Sequence, residues 1–203
     1  MMLSNRLVKH FGAAAAAATV VGGANAAIVT WNLNLVIPNN FDGAYINIAA
    51  QTTGTSSALA GWDINPYGAG SMNFFAPSSA PAPVTTYVRT QATGGPSSLA
   101  GGTVIGASSV FANSTTAVIT SAGVGSNGWT LNATNYFGFR FWNESTSAIN
   151  YGYGAMQVGA TAGTRTLLFI EYGDAGESVT VVPAPGAMAL VGLAGLAARR
   201  RRR

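Results

Sequence analysis

The sequence predicts an all-β protein, built as a single antiparallel β-sandwich or jelly-roll-like domain. Short stretches in which apolar and polar residues alternate recur roughly every ten residues, and Gly, Pro and Asn turns separate them. The middle of the chain shows no helical period, and no repeat of fixed length indicates a solenoid or a propeller. An N-terminal signal helix and a C-terminal transmembrane-like helix are expected to flank this domain.

Three parts are therefore predicted: a signal peptide at 1–26, the β domain at 27–180 and a tail at 181–203. Arg6 and Lys9 give the first part a positive start, and an apolar, alanine-rich stretch follows at 11–21. Ala24 and Ala26 place small residues where signal peptidase needs them, so cleavage is expected after Ala26.

Alternation predicts the strands in the first part of the domain, and polar Gly/Thr/Ser-rich stretches at 51–57 and 92–102 predict loops. The predicted strands lie at 29–35, 46–48, 71–75 and 84–90, with weaker candidates at 103–105, 108–111, 117–120 and 128–131.

The strongest predicted pair is a hairpin of strands at 136–142 and 149–158 around a polar loop at 143–147. In the first strand, Phe137, Phe139 and Phe141 occupy one face, and Tyr136, Arg140 and Trp142 occupy the other. In the second, Tyr151 and Tyr153 alternate with Gly152 and Gly154. Strands at 166–172 and 178–182 complete the prediction.

The net charge of +4 comes from the two ends of the chain. Seven of the ten basic residues lie in the signal peptide or the tail, which leaves Arg89, Arg140 and Arg165 in the domain against six carboxylates, a net charge of −3. Because phosphate binding needs clustered Lys and Arg, a nucleic-acid partner is excluded.

The residue types needed for most catalysis are missing from the domain. The chain has no Cys, its single His is His10 in the signal peptide, and the domain has no Lys. Nucleophilic triads and zinc sites therefore lack their usual members, and we expect no enzyme, cofactor or metal. Glycosidases need only two carboxylates, so that class stays open on residue types. Its candidates are Asp63, Glu144, Glu171, Asp174 and Glu177.

Two acidic stretches have a faint likeness to calcium loops, in which oxygen ligands alternate. In the first, Asp63 and Asn65 precede Gly68 and Gly70, although Pro66 interrupts the pattern. We favour the interpretation that Asp63 or Asn65 forms an Asx-turn with nearby backbone. The second stretch offers Asp174 and Glu177.

Aromatic residues around Arg140 suggest a glycan-contact site formed by Arg140, Trp142 and Tyr153. Cation–π stacking of Arg140 on a neighbouring ring is consistent with this hypothesis. The favoured alternative is structural: Arg140 pairs with Glu144 or a backbone carbonyl, and Tyr151 and Tyr153 are cross-strand packing partners.

The tail contains a proline motif, an apolar run and a basic cluster. Its motif is Val182, Pro183, Ala184 and Pro185, and its basic cluster is Arg199, Arg200, Arg201, Arg202 and Arg203. The run at 186–198 includes Gly186, Leu190, Leu193 and Leu196. As a helix it spans roughly 20 Å, and counting from Val179 brings it closer to the roughly 30 Å of a bilayer core. The arginines favour a cytoplasmic C-terminus.

This order of parts resembles the bacterial sorting signal PEP-CTERM, in which Pro-Glu-Pro precedes an apolar helix and an arginine cluster. Ala184 stands where the family has Glu. The resemblance implies cleavage by an exosortase-like membrane protease and delivery to the envelope or extracellular matrix.

The domain is also similar to a group of secreted proteins that carry such tails. Gly-Phe-Arg-Phe at 138–141 and Tyr-Gly-Tyr at 151–153 carry this similarity, with Tyr153 where that group has Trp. The stretches 60–67 and 106–111 are similar too. This resemblance implies a secreted domain without a known reaction.

Taken together, these features predict a non-enzymatic, exported cell-surface or extracellular-matrix protein of a bacterium. Its expected partners are the export machinery, signal peptidase, an exosortase-like protease and, transiently, the inner membrane. The alternative is a carbohydrate-binding, lectin-like module with polysaccharide as its partner, and a weaker alternative is a glycoside-active enzyme.

Overall fold

The computed structural model describes residues 27–77, 85–90, 95–113 and 115–183. These residues form strands, turns and loops, without a helix. Their strands are β1 (Val29–Val36), β2 (Tyr45–Asn47), β3 (Thr52–Gly54), β4 (Asn65–Tyr67), β5 (Asn73–Phe75), β6 (Thr86–Val88), β7 (Ser98–Leu99), β8 (Val104–Ile105), β9 (Phe111–Ala112), β10 (Ala133–Asn143), β11 (Ala148–Val158), β12 (Arg165–Tyr172) and β13 (Val179–Thr180).

A seven-stranded sheet dominates the fold, in the order β1-β12-β11-β10-β6-β9, with β7 also paired to β10. Its pairings are antiparallel. The predicted all-β class and a large antiparallel sheet are therefore confirmed. The predicted signal helix at 1–26 and the transmembrane-like helix at 186–198 lie outside the described residues. Within the described ranges, no helix is long and apolar enough to cross a membrane.

The predicted hairpin is the centre of this sheet. β10 and β11 pair in continuous register from Ala133 opposite Val158 to Asn143 opposite Ala148, around a turn at 144–147. Phe139 lies opposite Gly152, and a Cβ placed on Gly152 would lie 2.7 Å from a ring carbon of Phe139. The glycines in β11 thus make room for the phenylalanine rings of β10.

One side of the sheet, here called the Phe face, carries Phe137, Phe139 and Phe141, all fully buried. Burying a side chain of this size contributes about 1.5–3 kcal/mol relative to leaving it exposed. The side chains that cover this face come mainly from the first half of the domain, and they include Ile46, Ile48, Ile64, Met72, Phe74, Val118, Ile119 and Trp129.

The opposite side, here called the Tyr face, carries Tyr151 and Tyr153 and is covered as well. Its second apolar cluster is completed by Val88, Leu99, Ile105, Val179 and Val181. Ile105 and Val179 meet because β8 pairs with β13. Gly138 on this face leaves space for Val88, Leu99 and Ile105, whose side-chain carbons approach within 3.0 Å of the position that a Cβ would occupy. The sheet is therefore buried on both sides.

The strands outside the main sheet form three two-stranded sheets, β2-β3, β4-β5 and β8-β13. Three short strands were not expected: β3 lies in a predicted loop, as does β7, and β4 contains Pro66. Conversely, the predicted strand at 128–131 is wrong, and at 117–120 only Ile119 forms isolated bridges, to Met72 and Gly125. These segments are too short for alternation to separate strands from loops.

Arg165, the first residue of β12, connects several loops through hydrogen bonds. It is 2% exposed, and its guanidinium donates hydrogen bonds to the carbonyl oxygens of Pro38, Gly68, Ser71 and Ala162. Burial lowers the pKa of Arg165 to about 10. The group stays charged at neutral pH, and its bonds to carbonyls offset part of the cost of removing it from water.

Candidate functional site

The candidate site is a cavity of about 340 Å³ beside the β10–β11 turn. It is lined by Asn47, Ala49, Ala50, Ala60, Gly61, Glu144 and Ser145. Small apolar walls with a few polar groups are typical of sites for small ligands. The residues come from three regions that are distant in sequence: the end of β2, the loop before Trp62, and the hairpin turn.

Gly61 keeps this cavity open. Its φ of 63° lies in the left-handed region, and a Cβ at this position would lie 2.7 Å from Asn47 Nδ2 and 3.4 Å from Glu144 Oε1. Asn47 in turn fixes two walls, because its Nδ2 donates to the Ala60 carbonyl and its Oδ1 accepts from the Ala50 amide. The shape of the cavity is therefore determined by one glycine and one buried amide.

Asp63 lies close to Glu144 and is buried, with 3% of its surface exposed. Its Oδ2 accepts a hydrogen bond from the Ile48 amide at 2.8 Å, and its Oδ1 accepts one from Thr85 Oγ1 at 3.3 Å. Desolvation raises the pKa of Asp63 to about 7, and the negative charge of Glu144 acts in the same direction. Asp63 therefore changes its protonation near neutral pH.

Of the five carboxylates named as candidates from the sequence, the structure brings Asp63 and Glu144 together. Glu171 lies elsewhere, in β12, where it accepts a hydrogen bond from the Tyr153 hydroxyl. Asp174 and Glu177 are exposed in a turn, where the Glu177 amide donates to the Asp174 carbonyl. Among the described residues, no group of three or more His, Cys, Asp or Glu side chains could hold a metal ion.

The Asx-turn interpretation of Asp63 and Asn65 is wrong, because both side chains bond to remote backbone. Asp63 reaches the end of β2, and Asn65 Nδ2 donates to the carbonyls of Asp42 and Ala44 at 2.7 and 2.9 Å. These bonds connect the 42–48 segment to the 63–65 segment, so the two polar residues have structural roles that local spacing did not reveal.

An aromatic cluster that the sequence analysis missed adjoins the cavity through Trp62, the neighbour of Gly61. The Trp62 ring lies 5.0 Å from Tyr45 and 5.9 Å from Phe75, measured between centroids. Phe75 is 40% exposed, and the other two rings are half-buried. The available signal was a tryptophan in the stretch between the predicted loop at 51–57 and the predicted strand at 71–75.

The predicted glycan-contact residues are less accessible than the hypothesis assumed. Tyr153 is 1% exposed, and its hydroxyl donates to Glu171 Oε2 and accepts from the Val182 amide. Burial also raises the pKa of Tyr153 well above its usual value. Arg140 and Trp142 are half-buried, so they alone keep surface for the predicted contact.

Arg140 is held by side chains on the Tyr face. Its Nε donates to Thr86 Oγ1 at 2.8 Å, and its guanidinium carbon lies 4.8 Å from the centroid of the Phe111 ring. Phe111 stacks on Tyr151 with centroids 5.8 Å apart. The cation–π contact is therefore present, and Thr86 takes the place of the expected Glu144 or carbonyl partner.

The start of the tail motif is attached to the fold. The Val181 amide donates to the Thr103 carbonyl, and the Val182 amide donates to the Tyr153 hydroxyl at 3.3 Å. Pro183 lies against Gly101, where a Cβ would come within 2.6 Å of its ring. The rest of the predicted sorting signal, from Ala184 to the five arginines, lies outside the described residues, as do Ala24 and Ala26.

The sequence matches no protein-family model, and no curated protein or solved structure is similar to it at a significant level. Its function must therefore be inferred from its residues and their geometry.

Proposed function

We propose that this chain is a non-enzymatic, exported protein of the bacterial cell surface or extracellular matrix, sorted and cleaved through its C-terminal tail. The observation that supports the proposal is the attachment of residues 181–183, at the start of the proline motif, to the domain. Val181 and Val182 are bonded to Thr103 and Tyr153, and Pro183 packs on Gly101, directly before the rest of the proline motif. In this proposal, the sorting signal follows directly on residues that the domain holds by hydrogen bonds and packing.

Several polar groups of the domain are used to hold the fold. Both oxygens of Asp63 accept hydrogen bonds, and the Arg165 guanidinium binds backbone carbonyls of four residues. A catalytic acid or base must instead reach a proton on the substrate. This use of Asp63 favours a structural function over the weaker glycoside-active alternative.

The finer architecture fits the same proposal. The small sheets β2-β3 and β4-β5 contribute Ile46 and Phe74 to the apolar cluster on the Phe face, as the second layer of a sandwich or jelly roll would. The export machinery takes the chain across the inner membrane, and signal peptidase cleaves after Ala26. An exosortase-like protease then releases the chain from its transient membrane tether.

Replacement of the arginine cluster tests this route. The full chain is produced in a bacterium with an exosortase system, together with a variant that has Ser at 199–203 and a control variant that has Lys there. The wild type and the Lys control should reach the cell surface or medium, whereas the Ser variant should lose the orientation signal. Equal delivery of the Ser variant, or a wild type retained in the cytoplasm, would contradict the proposal.

A second candidate function is binding of a saccharide, with polysaccharide as the partner. The aromatic cluster of Tyr45, Trp62 and Phe75, next to the cavity with Glu144, favours it. Aromatic rings offer a flat apolar surface to the C–H face of a sugar, and a carboxylate accepts bonds from its hydroxyls. On a glycan array, Trp62→Ala should abolish binding and Trp142→Ala should preserve it. A wild type that binds none of the polysaccharides on the array would contradict this function.

A further inference from the structure

The strands at the two edges of the seven-stranded sheet differ in length. One edge is β9, with two residues, and the other edge is β1, with eight. Within the described part of the chain, β1 pairs with β12 alone. A strand that is paired on one side leaves about half of its N–H and C=O groups directed away from the sheet. The long edge is therefore a template for another strand.

The sequence of β1 lacks the usual protection of an edge. Natural edge strands carry charges or proline, or they are very short. The strand reads Val-Thr-Trp-Asn-Leu-Asn-Leu-Val and has neither a charge nor a proline. A bulge places Leu33 and Asn34 opposite Leu168, with Asn34 at a φ of 49°, and this interrupts the C-terminal half. Within the described residues, the regular segment from Val29 to Asn32 pairs with β12 alone and is open to pairing on its outer side.

The side chains of β1 indicate a missing neighbour as well. Val29, Trp31, Leu33 and Leu35 point toward the core of the Phe face, yet all four are only half-buried. On the central strand β10, by contrast, Phe137, Phe139 and Phe141 are fully buried. Ile28 and Val36, at the two ends of β1, are 48% and 70% exposed. Apolar surface thus remains uncovered along this edge.

We propose that β1 pairs antiparallel with β1 of a second copy of this chain, so that the two sheets join into one. A two-fold axis perpendicular to the sheet aligns each edge with its own copy and keeps both Phe faces on the same side. The half-buried Trp31 and Leu33 then pack on apolar residues of the partner, and Thr30 and Asn32 face polar residues. An uncharged edge does not repel its copy and offers no attraction to a charged peptide.

Oligomeric state tests the pairing, with a matched pair of charge substitutions. Asn32→Lys adds a charge to the exposed face of the edge strand, whereas Gln157→Lys adds the same charge to an exposed position of the central strand β11. The full chain is analysed in a mild detergent by light scattering after size exclusion. The wild type and Gln157→Lys should be dimers, and Asn32→Lys should dissociate at least tenfold more readily because the two added charges lie on the same face of the joined edge and repel each other.

Several outcomes would overturn the proposal: a wild type that is monomeric at every concentration, a dimer that resists Asn32→Lys, or equal loss in both variants. A dimer held together by the apolar tail, for example, would resist Asn32→Lys. The absence of Cys from the chain allows an independent measurement if the Lys variant fails to fold. Upon oxidation, Thr30→Cys or Asn32→Cys should give a disulfide-linked dimer, and Gln157→Cys should not. No cross-link from either edge position would contradict the pairing.

Discussion

The Phe face and the Tyr face of the central hairpin are built from the same two strands in different ways. On the Phe face, rings of β10 lie over glycines of β11, and the covering side chains are apolar. On the Tyr face, polar groups form hydrogen bonds: the Tyr153 hydroxyl bonds to Glu171 and Val182, and Arg140 bonds to Thr86. Close packing of rings stabilises the Phe face, whereas hydrogen bonds fix the positions of the side chains on the Tyr face.

This difference accounts for the way in which Val182 is held on the Tyr face. A hydroxyl on a buried ring can bind the backbone of a chain segment, as Tyr153 does with Val182. A phenylalanine offers no such group. The Tyr face is therefore suited to hold the last residues of the domain, while the Phe face is suited to form the main core.

The largest expected contrast comes from truncating one aromatic side chain on each face. Phe139→Ala should lower the free energy of unfolding by about 3–5 kcal/mol, because a large buried ring is lost and a cavity remains. Trp142→Ala should cost clearly less, because Trp142 is only half-buried. Urea denaturation of both variants measures the difference. Equal losses would show that the two faces are equally important to the core.

Filling the space above a glycine should have the next largest effect. Gly152→Ala places a Cβ 2.6 Å from the Glu171 carbonyl oxygen and 2.7 Å from the Phe139 ring, which predicts a loss of about 2 kcal/mol by overpacking. Gly54→Ala, in the peripheral strand β3, is the control, because the nearest atom to its Cβ would be Leu59 Cβ at 3.3 Å. A tolerated Gly152→Ala would contradict the ring-over-glycine packing.

The pH dependence of the free energy of unfolding should reveal the titration of Asp63, which lies near the Phe-face core. Its pKa is raised from 3.8 to about 7, so between these values the folded state holds a proton that the unfolded state releases. Stability from this group is complete below pH 4 and declines as the pH rises through 7, by up to about 1.4 kcal/mol per unit. Asp63→Asn should remove this slope in thermal melts. Asp174→Asn, in an exposed turn, is the control and should retain the slope.

The smallest effect is expected from removing one hydroxyl on the Tyr face. Tyr153→Phe deletes the bonds to Glu171 and Val182 and should cost about 1 kcal/mol. Tyr151→Phe is the matched control, since Tyr151 is a buried tyrosine of the same face whose ring stacks on Phe111. Limited proteolysis should also cleave near Val182 sooner in Tyr153→Phe. Identical cleavage in both variants would contradict the attachment of the tail.

Much of the main sheet could be predicted because its long strands show clear alternation. The pattern from Tyr136 to Trp142 places each side chain on the correct face, and the polar stretch after Asn143 predicts the turn. Alternation depends on the backbone of one strand alone, so a single sequence contains enough information for it.

The cover of the Tyr face could not be predicted in the same way. It depends on strands of two residues, such as Val104–Ile105 and Val179–Thr180, whose pairing is decided by tertiary contacts. The glycan-contact hypothesis required Tyr153 to be exposed, whereas Tyr153 is buried in the fold, in agreement with the favoured packing interpretation. The cavity between Gly61 and Glu144 likewise requires the meeting of segments that are far apart in the chain.

The position of the C-terminus of the exported chain most directly tests whether the tail sorts this domain for export and is then cleaved. Intact-mass spectrometry of protein recovered from the cell surface or the medium measures it. We predict a chain that begins at Ala27 and lacks all of Arg199, Arg200, Arg201, Arg202 and Arg203. An exported chain that retains the five arginines would contradict cleavage of the tail and leave it as a simple anchor.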